Sequence, residues 1–352
     1  MITRPTARDF EVRARAPLRL GLAGGGTDLS PYCDQFGGAV LNATIGRFAF
    51  AHVAPSPDGS ISFRARDLGA EEHFHNFAEV TLDDGLILHR AVYRHVVETW
   101  LNGDAPALTV STTIDAPAGS GLGSSSALAV ALIEAFRVAL DLPLGPYEVA
   151  RLAFDIERVK LGLAGGRQDQ YAATFGGVNY IEFLADERVL VSPLRVPQAY
   201  LNEFESSLVI CFTGQSRRSE YIIQEQIDGL TALDPQTLES MHSLKADATA
   251  MREALLRGQI RSVADILMRS WAAKKRTAKG IATQVVDRLF DHGMAHGAWG
   301  GKVSGAGGGG FLMFCTDPEN RYHLITALNE AGGRASPVKF TFEGVEAWSV
   351  PR

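Results

Sequence analysis

The sequence predicts an α+β chain built in two halves, and three observations carry that reading. Strands and helices are both legible, yet they do not alternate in the regular order of a doubly wound sheet. A polar stretch at residues 197–205 separates an earlier set of elements from a later one. The 352 residues, 46% of them hydrophobic, are enough for two cores. The expected division is therefore 1–196 and 206–352, with 197–205 as linker.

In chain order, residues 12–22, 39–53 and 61–66 read as strands, with Pro55, Pro57 and Gly59 marking a turn. Residues 86–101 place apolar side chains at helical spacing. Residues 107–114 form the next strand and 124–140 a helix; Pro146 then opens a helix running to about Lys160. Gly176 and Gly177 precede an alternating strand, 178–183, which 189–194 could pair. The second half reads as strand 207–213, helices at 217–228, 236–257, 260–279 and 283–295, and strand 311–315. Helix 318–331 and strands 334–342 and 345–350 complete it. No repeat or low-complexity tract interrupts the pattern.

Composition excludes several functions. A net charge of −6 argues against a nucleic-acid binder, which is usually basic. No apolar run approaches the ~20 residues of a membrane span, and residues 1–15 show no signal-peptide core. Cys33, Cys211 and Cys315 are far apart and in no C-x-x-C, which fits buried free thiols in a reducing cytoplasm. His73 and His75 have no third ligand nearby and read as structural or solvated.

The chemistry concentrates in glycine-rich segments. In Pro117-Ala-Gly-Ser-Gly-Leu-Gly-Ser-Ser-Ser-Ala127, Gly119, Gly121 and Gly123 permit a tight turn and close ligand approach. Ser124, Ser125 and Ser126 then fall where a helix has unpaired N–H groups and its positive dipole end. That combination suits an anion such as a triphosphate, with hydroxyls left for Mg²⁺. The dinucleotide fingerprint fails because serines stand at 124 and 126, and the P-loop pattern is absent. A nucleophile elbow fails at Ala127.

Pro-x-x-x-Gly-Leu-Gly-Ser-Ser resembles the ATP loop of the GHMP small-molecule kinases. Two further segments resemble that family's other signatures, in order. They are Arg15-Ala-Pro-Leu-Arg-Leu-Gly-Leu-Ala-Gly-Gly-Gly-Thr-Asp28 and Lys302-Val-Ser-Gly-Ala-Gly-Gly-Gly-Gly-Phe311. The resemblance covers nearly the whole chain and is weakest at 55–85 and 185–205. It implies a two-domain fold, a ribosomal-S5-like N-terminal domain and a ferredoxin-like C-terminal domain, with the active site between them.

Further roles follow from the resemblance. ATP would contact Pro117, Gly119, Ser120, Gly121, Leu122, Gly123, Ser124, Ser125 and Ser126, with Gly305 and Gly307 of the third segment closing near the phosphates. Asp169, in Gly165-Gly-Arg-Gln-Asp-Gln170, matches the family's catalytic base, and Arg19 matches the cation that pairs with it. Ser125 and Glu157 match Mg²⁺ ligands. The interval from Glu157 to Asp169 is one residue longer than in mevalonate kinases, which keeps Asp155 as an alternative. Gly24-Gly-Gly-Thr-Asp28 resembles the fucokinase and heptose 7-phosphate kinase branch, in which the Asp reads sugar hydroxyls. Gly25, Gly26, Thr27 and Asp28 are thus acceptor candidates. Arg217, Arg218, Lys274 and Lys275 are candidates for a phosphate the acceptor already carries, and Lys302 could add charge to the site. The implied activity is an ATP- and Mg²⁺-dependent kinase acting on the anomeric hydroxyl of a sugar phosphate. A kinase of a free sugar such as L-fucose, or a non-catalytic sugar and ATP sensor, stays the alternative.

Overall fold

A computed structural model describes residues 11–215 and 219–350. The first half is built on a sheet of eight strands. β1 (Val12–Ala23) is followed by the short α1 (Tyr32–Phe36) and the long β2 (Gly38–Pro55), then β3 (Ile61–Ala65) and β4 (Ala70–Phe74). Next come α2 (Ile87–Trp100), β5 (Leu108–Ile114), α3 (Ser124–Ala139), α4 (Pro146–Phe154), α5 (Gln168–Phe175), β6 (Val178–Phe183) and β7 (Val189–Pro193). The second half contains α6 (Gln198–Ser207), β8 (Leu208–Phe212), α7 (Ser219–Thr231), α8 (Pro235–Leu256), α9 (Ile260–Lys275) and α10 (Gln284–Ala295). β9 (Ala298–Val303), β10 (Phe311–Thr316), α11 (Arg321–Glu330), β11 (Arg334–Pro337) and β12 (Glu346–Ser349) close the chain.

β2 organises the large sheet. One edge pairs with β1 along its length; the other pairs with β6 over residues 38–43 and with β5 over 49–55. The sheet therefore forks, giving the order β12-β1-β2-β5-β3-β4 with β6 and β7 on a side branch. Along β1 the exposure pattern changes from alternating to continuously buried. The reason is coverage of both faces, since α3, α5, α8 and α9 all pack against β1. Leu18, Leu20 and Leu22 are fully buried there. The smaller sheet, β11-β8-β10-β9, is antiparallel throughout and carries its own apolar cluster around Trp271, Leu289 and Phe314.

Several expectations change. The polar stretch 197–205 is helical, as α6, because Leu201 and Phe204 recur at helical spacing and bury into the core. The strand expected at 345–350 hydrogen-bonds to β1, so the chain's end returns to the first sheet instead of extending the second. The helix expected from Tyr147 to Lys160 ends at Phe154 and continues as a wider π-type turn, Asp155–Lys160. Asp169 lies in α5 (Gln168–Phe175), a helix absent from the sequence-based element order. Cys33, Cys211 and Cys315 are buried free thiols. No helix among the described residues is long and apolar enough to cross a membrane.

Candidate active site

The phosphate loop connects β5 to α3 and packs against the second half. Gly119, Gly121 and Gly123 have φ of 68°, 76° and 73°, the left-handed region that disfavours other residues. Gly123 is the N-cap of α3 and supplies no side-chain acceptor, so the helix's first N–H groups keep their capacity for an anion. Phe311 N donates to Ser120 O at 3.0 Å and Ser304 Oγ to Gly121 O at 3.1 Å. A Cβ on Gly121 would stand 2.5 Å from Ser304 O, and one on Gly305 would stand 2.7 Å from Gly121 O. Both segments need glycine because their backbones touch.

Arg19, on the buried part of β1, grips Asp169 in the first turn of α5. Its Nε and Nη2 donate to Oδ1 and Oδ2 at 2.7 and 2.8 Å, a bidentate geometry. Its Nη1 donates to Gly121 O at 2.7 Å, which ties the pair to the phosphate loop. The arginine side chain is 5% exposed and the aspartate 21%, so the carboxylate is the more open partner to the cleft that both line.

Glu157 is fully buried, and a lone buried carboxylate would be costly. Three donors offset that cost. Ser125 Oγ donates to Oε1 at 2.7 Å; Ser126 Oγ and Gln170 Nε2 donate to Oε2 at 2.6 and 2.7 Å. The π-type turn carries Glu157 to this position, a device often found at functional sites. Asp155 in the same turn faces outward and pairs with Arg151 at 3.0 Å.

At the other end, Asp28 is buried in the loop after β1. Gly26 N and Gln168 Nε2 donate to Oδ1 at 3.1 and 3.2 Å, and Gln168 N donates to Oδ2 at 3.1 Å. Gly166 makes room for this carboxylate, since a Cβ there would fall 1.8 Å from Oδ2. Lys274 of α9 donates to Gly25 O at 3.1 Å and Lys302 of β9 to Gly21 O at 2.6 Å. Burial lowers both ammonium pKa values, Lys274 to about 8 and Lys302 to about 7.

These groups line one cleft of about 420 Å³, within the roughly 300–1,000 Å³ of small-molecule sites. Of the residues expected from sequence, Arg19, Gly25, Gly26, Asp28, Gly119, Gly121, Gly123, Ser124, Ser125, Ser126, Asp169, Lys274 and Gly305 reach its wall. Pro117, Ser120, Leu122, Thr27 and Gly307 do not. Leu122 is a core side chain, and the buried Ser120 hydroxyl has no partner among the described residues. Thr27 Oγ1 is occupied by Gly24 O and the Ala39 backbone. Gly307 packs on Ile281. Lys275 is exposed, its ammonium 5.5 Å from the centre of the Trp271 ring. Glu157 lies behind Ser125. Arg217 and Arg218 fall outside the described residues. Sequence reasoning missed Gln168, Gln170, Ser304 and Ser270. Gln168 and Gln170 flank Asp169 directly, and that adjacency was the available signal.

The donors suit nucleotide and metal by their chemistry. The loop offers glycine N–H groups and an uncapped helix start for phosphates, and Ser125 with Glu157 offers hard oxygens of the kind Mg²⁺ takes.

This geometry, a glycine phosphate loop at a helix start with an Arg–Asp pair held against it at the edge of one cleft, is that of a phosphotransferase. The chain belongs to the GHMP kinases, a family of ATP-dependent kinases: residues 87–177 match the GHMP kinases N terminal domain and 251–334 the GHMP kinases C terminal domain. It is 41% identical to the D-glycero-alpha-D-manno-heptose 7-phosphate kinase of Campylobacter jejuni, over 96% of this chain and 99% of that one. A crystal structure named as a D-glycero-D-manno-heptose 1-phosphate kinase, from Bacteroides thetaiotaomicron, superposes with a TM-score of 0.82. It is 39% identical and covers 97% of this chain and 100% of its own. The Lactococcus lactis galactokinase complexed with galactose shares the fold at 18% identity and a TM-score of 0.76, over 96% of this chain and 95% of that one.

Proposed function

We propose that this chain transfers the γ-phosphoryl group of ATP to the anomeric hydroxyl of D-glycero-α-D-manno-heptose 7-phosphate, giving the 1,7-bisphosphate. The observation that carries the reading is the single cleft in which the Arg19–Asp169 pair stands between the phosphate loop and the Asp28 loop. Similarity to the Campylobacter jejuni kinase supports the choice of sugar.

Asp169 orients the acceptor hydroxyl and takes its proton, because each of its oxygens keeps lone-pair capacity beyond the Arg19 bond. Arg19 holds that carboxylate in place and sets a fixed positive charge beside the transferring group. Phosphates of ATP rest on the 119–126 backbone and the start of α3, with Gly305 closing over them. Ser125 and Glu157 would hold Mg²⁺, whose part is to neutralise charge on those phosphates. Gln168 fixes Asp28, whose Oδ2 retains capacity for a sugar hydroxyl. Gly25 and Gly26 shape that pocket, and Lys274, Arg217 and Arg218 meet the 7-phosphate. Residues 1–196 and 206–352 divide the chain into its two domains, except that β12 returns to the first sheet, and three buried thiols support a reducing compartment, the cytoplasm.

A panel of sugars and sugar phosphates incubated with ATP and Mg²⁺ tests this, with product position read by phosphorus NMR. A new anomeric phosphate on heptose 7-phosphate is expected. ATP turnover independent of any sugar, or a clear preference for free L-fucose, would overturn the reading.

A further inference from the structure

Lys274 and Lys302 are each 6% exposed, and both line the cleft. An ammonium has three donors, and each of these gives one to a carbonyl, at Gly25 and Gly21. Neither forms an ion pair among the described residues. The acids whose charge reaches them are already engaged. Asp28 accepts three N–H groups, and Asp247 accepts from Arg269 Nε and Ser270 Oγ. Arg19 and the two lysines therefore place like charges in a buried wall, which burial and mutual repulsion penalise. An entering anion relieves both penalties.

Position along the chain says which anion. Arg19 holds the phosphate loop through Gly121 O; two residues on, Gly21 holds Lys302; beyond it, Gly25 holds Lys274 beside Asp28. The lysines thus follow the segment away from the phosphate loop and towards the sugar-reading carboxylate.

We propose that Lys302 and Lys274 together form the receptor for the phosphate the acceptor already carries, with Lys302 a specificity-determining residue in its own right. The proposal rests on the sugar-kinase reading. The receptor is charged when filled and under-compensated when empty, so phosphorylated acceptors are selected over free sugars.

The test compares Lys302→Met, Lys274→Met and the charge-keeping Lys302→Arg with the wild type. Each methionine variant should raise KM for heptose 7-phosphate 10–100-fold while moving KM for unphosphorylated heptose and for ATP less than about 3-fold. Lys302→Arg should recover most of the loss. Thermal unfolding of the unliganded methionine variants should match or exceed the wild type, and the stabilisation by heptose 7-phosphate should disappear. Calorimetry of heptose 7-phosphate in buffers of different ionisation enthalpy at pH 8 should show proton uptake by the wild type, reduced in Lys302→Met. Equal losses for both acceptors together with a lower melting temperature would make Lys302 a structural strap and overturn the proposal. A rise confined to KM for ATP would assign the lysines to the nucleotide and overturn it too. Wild-type binding of heptose 7-phosphate without turnover would defeat the kinase reading alone, whereas normal turnover with no lysine effect would defeat the receptor alone.

Discussion

The two ends of the cleft treat charge in opposite ways. At the phosphate-loop end, Asp169 has a bidentate guanidinium and Glu157 has three donors. At the other end, Lys274 and Lys302 are buried against backbone carbonyls, with no carboxylate paired to them among the described residues. The first arrangement is complete before any ligand arrives, as preorganised stabilisation of a transition state requires. The second is completed by what binds. A site can therefore be rigid where every turnover is the same and under-compensated where it must choose its substrate.

The largest expected effect falls on the completed end. Asp169→Asn keeps the shape and loses the basic oxygen, so kcat should drop by roughly 10²–10⁴. KM for ATP should stay within about 3-fold, because Ser304 Oγ and Phe311 N hold the phosphate loop without Asp169. Near-normal steady-state turnover would move the proton to another group and blur the contrast between the ends.

Glu157→Gln comes next. It removes the anion around which Ser125, Ser126 and Gln170 converge, and the Mg²⁺ concentration for half-maximal rate should rise roughly 10–100-fold. An unchanged Mg²⁺ titration would leave Glu157 as a purely structural acid.

The under-compensated end should show itself in stability against pH. Unfolded lysines titrate at 10.5, while Lys274 and Lys302 titrate at about 8 and about 7 when folded. Between those values the unfolded chain binds more protons, so stability rises as pH goes up and is poorest at pH 7 and below. The three buried thiols, raised from 9.0 to about 12, 11 and 12, act the other way above pH 9. The melting temperature of the unliganded protein should therefore climb between about pH 7 and 9. The climb should be shallower in Lys302→Met, and parallel curves would show that the lysine carries no burial penalty.

The smallest effect is expected at Asp155, whose exposed partner Arg151 also pairs with Glu187. Asp155→Asn should cost less than about 1 kcal/mol and leave the Mg²⁺ requirement unchanged. A change as large as that of Glu157→Gln would mean that the turn presents the other carboxylate in solution.

Much of this site was legible in advance because its requirements are local. A glycine loop, a helix start and a serine run are contiguous, and their spacing carries the chemistry without any knowledge of the fold. Arg19 and Asp169 were recoverable through family motifs, although they lie 150 positions apart. Other features escaped because their meaning depends on neighbours. Residues 197–205 read as linker from polarity, yet two apolar side chains at helical spacing fix α6 to the core. Thr27 shares a motif with Asp28, but its hydroxyl is spent on the Ala39 backbone. Lys302 could be named as a source of charge, but its burial against Gly21 O depends on the fold.

By itself, then, the sequence determined the chemistry carried by short-range order: the phosphate loop, the family's three glycine segments and the α+β character. Propensity and spacing act over a few residues, and those features need no more. Only the tertiary structure decided which carboxylate of the 155–157 turn faces the serines, that the last strand returns to β1, and that two lysines share a wall without a counter-ion among the described residues. Burial and pairing of charge arise from contacts between residues hundreds of positions apart, and their energies exist only once those contacts form.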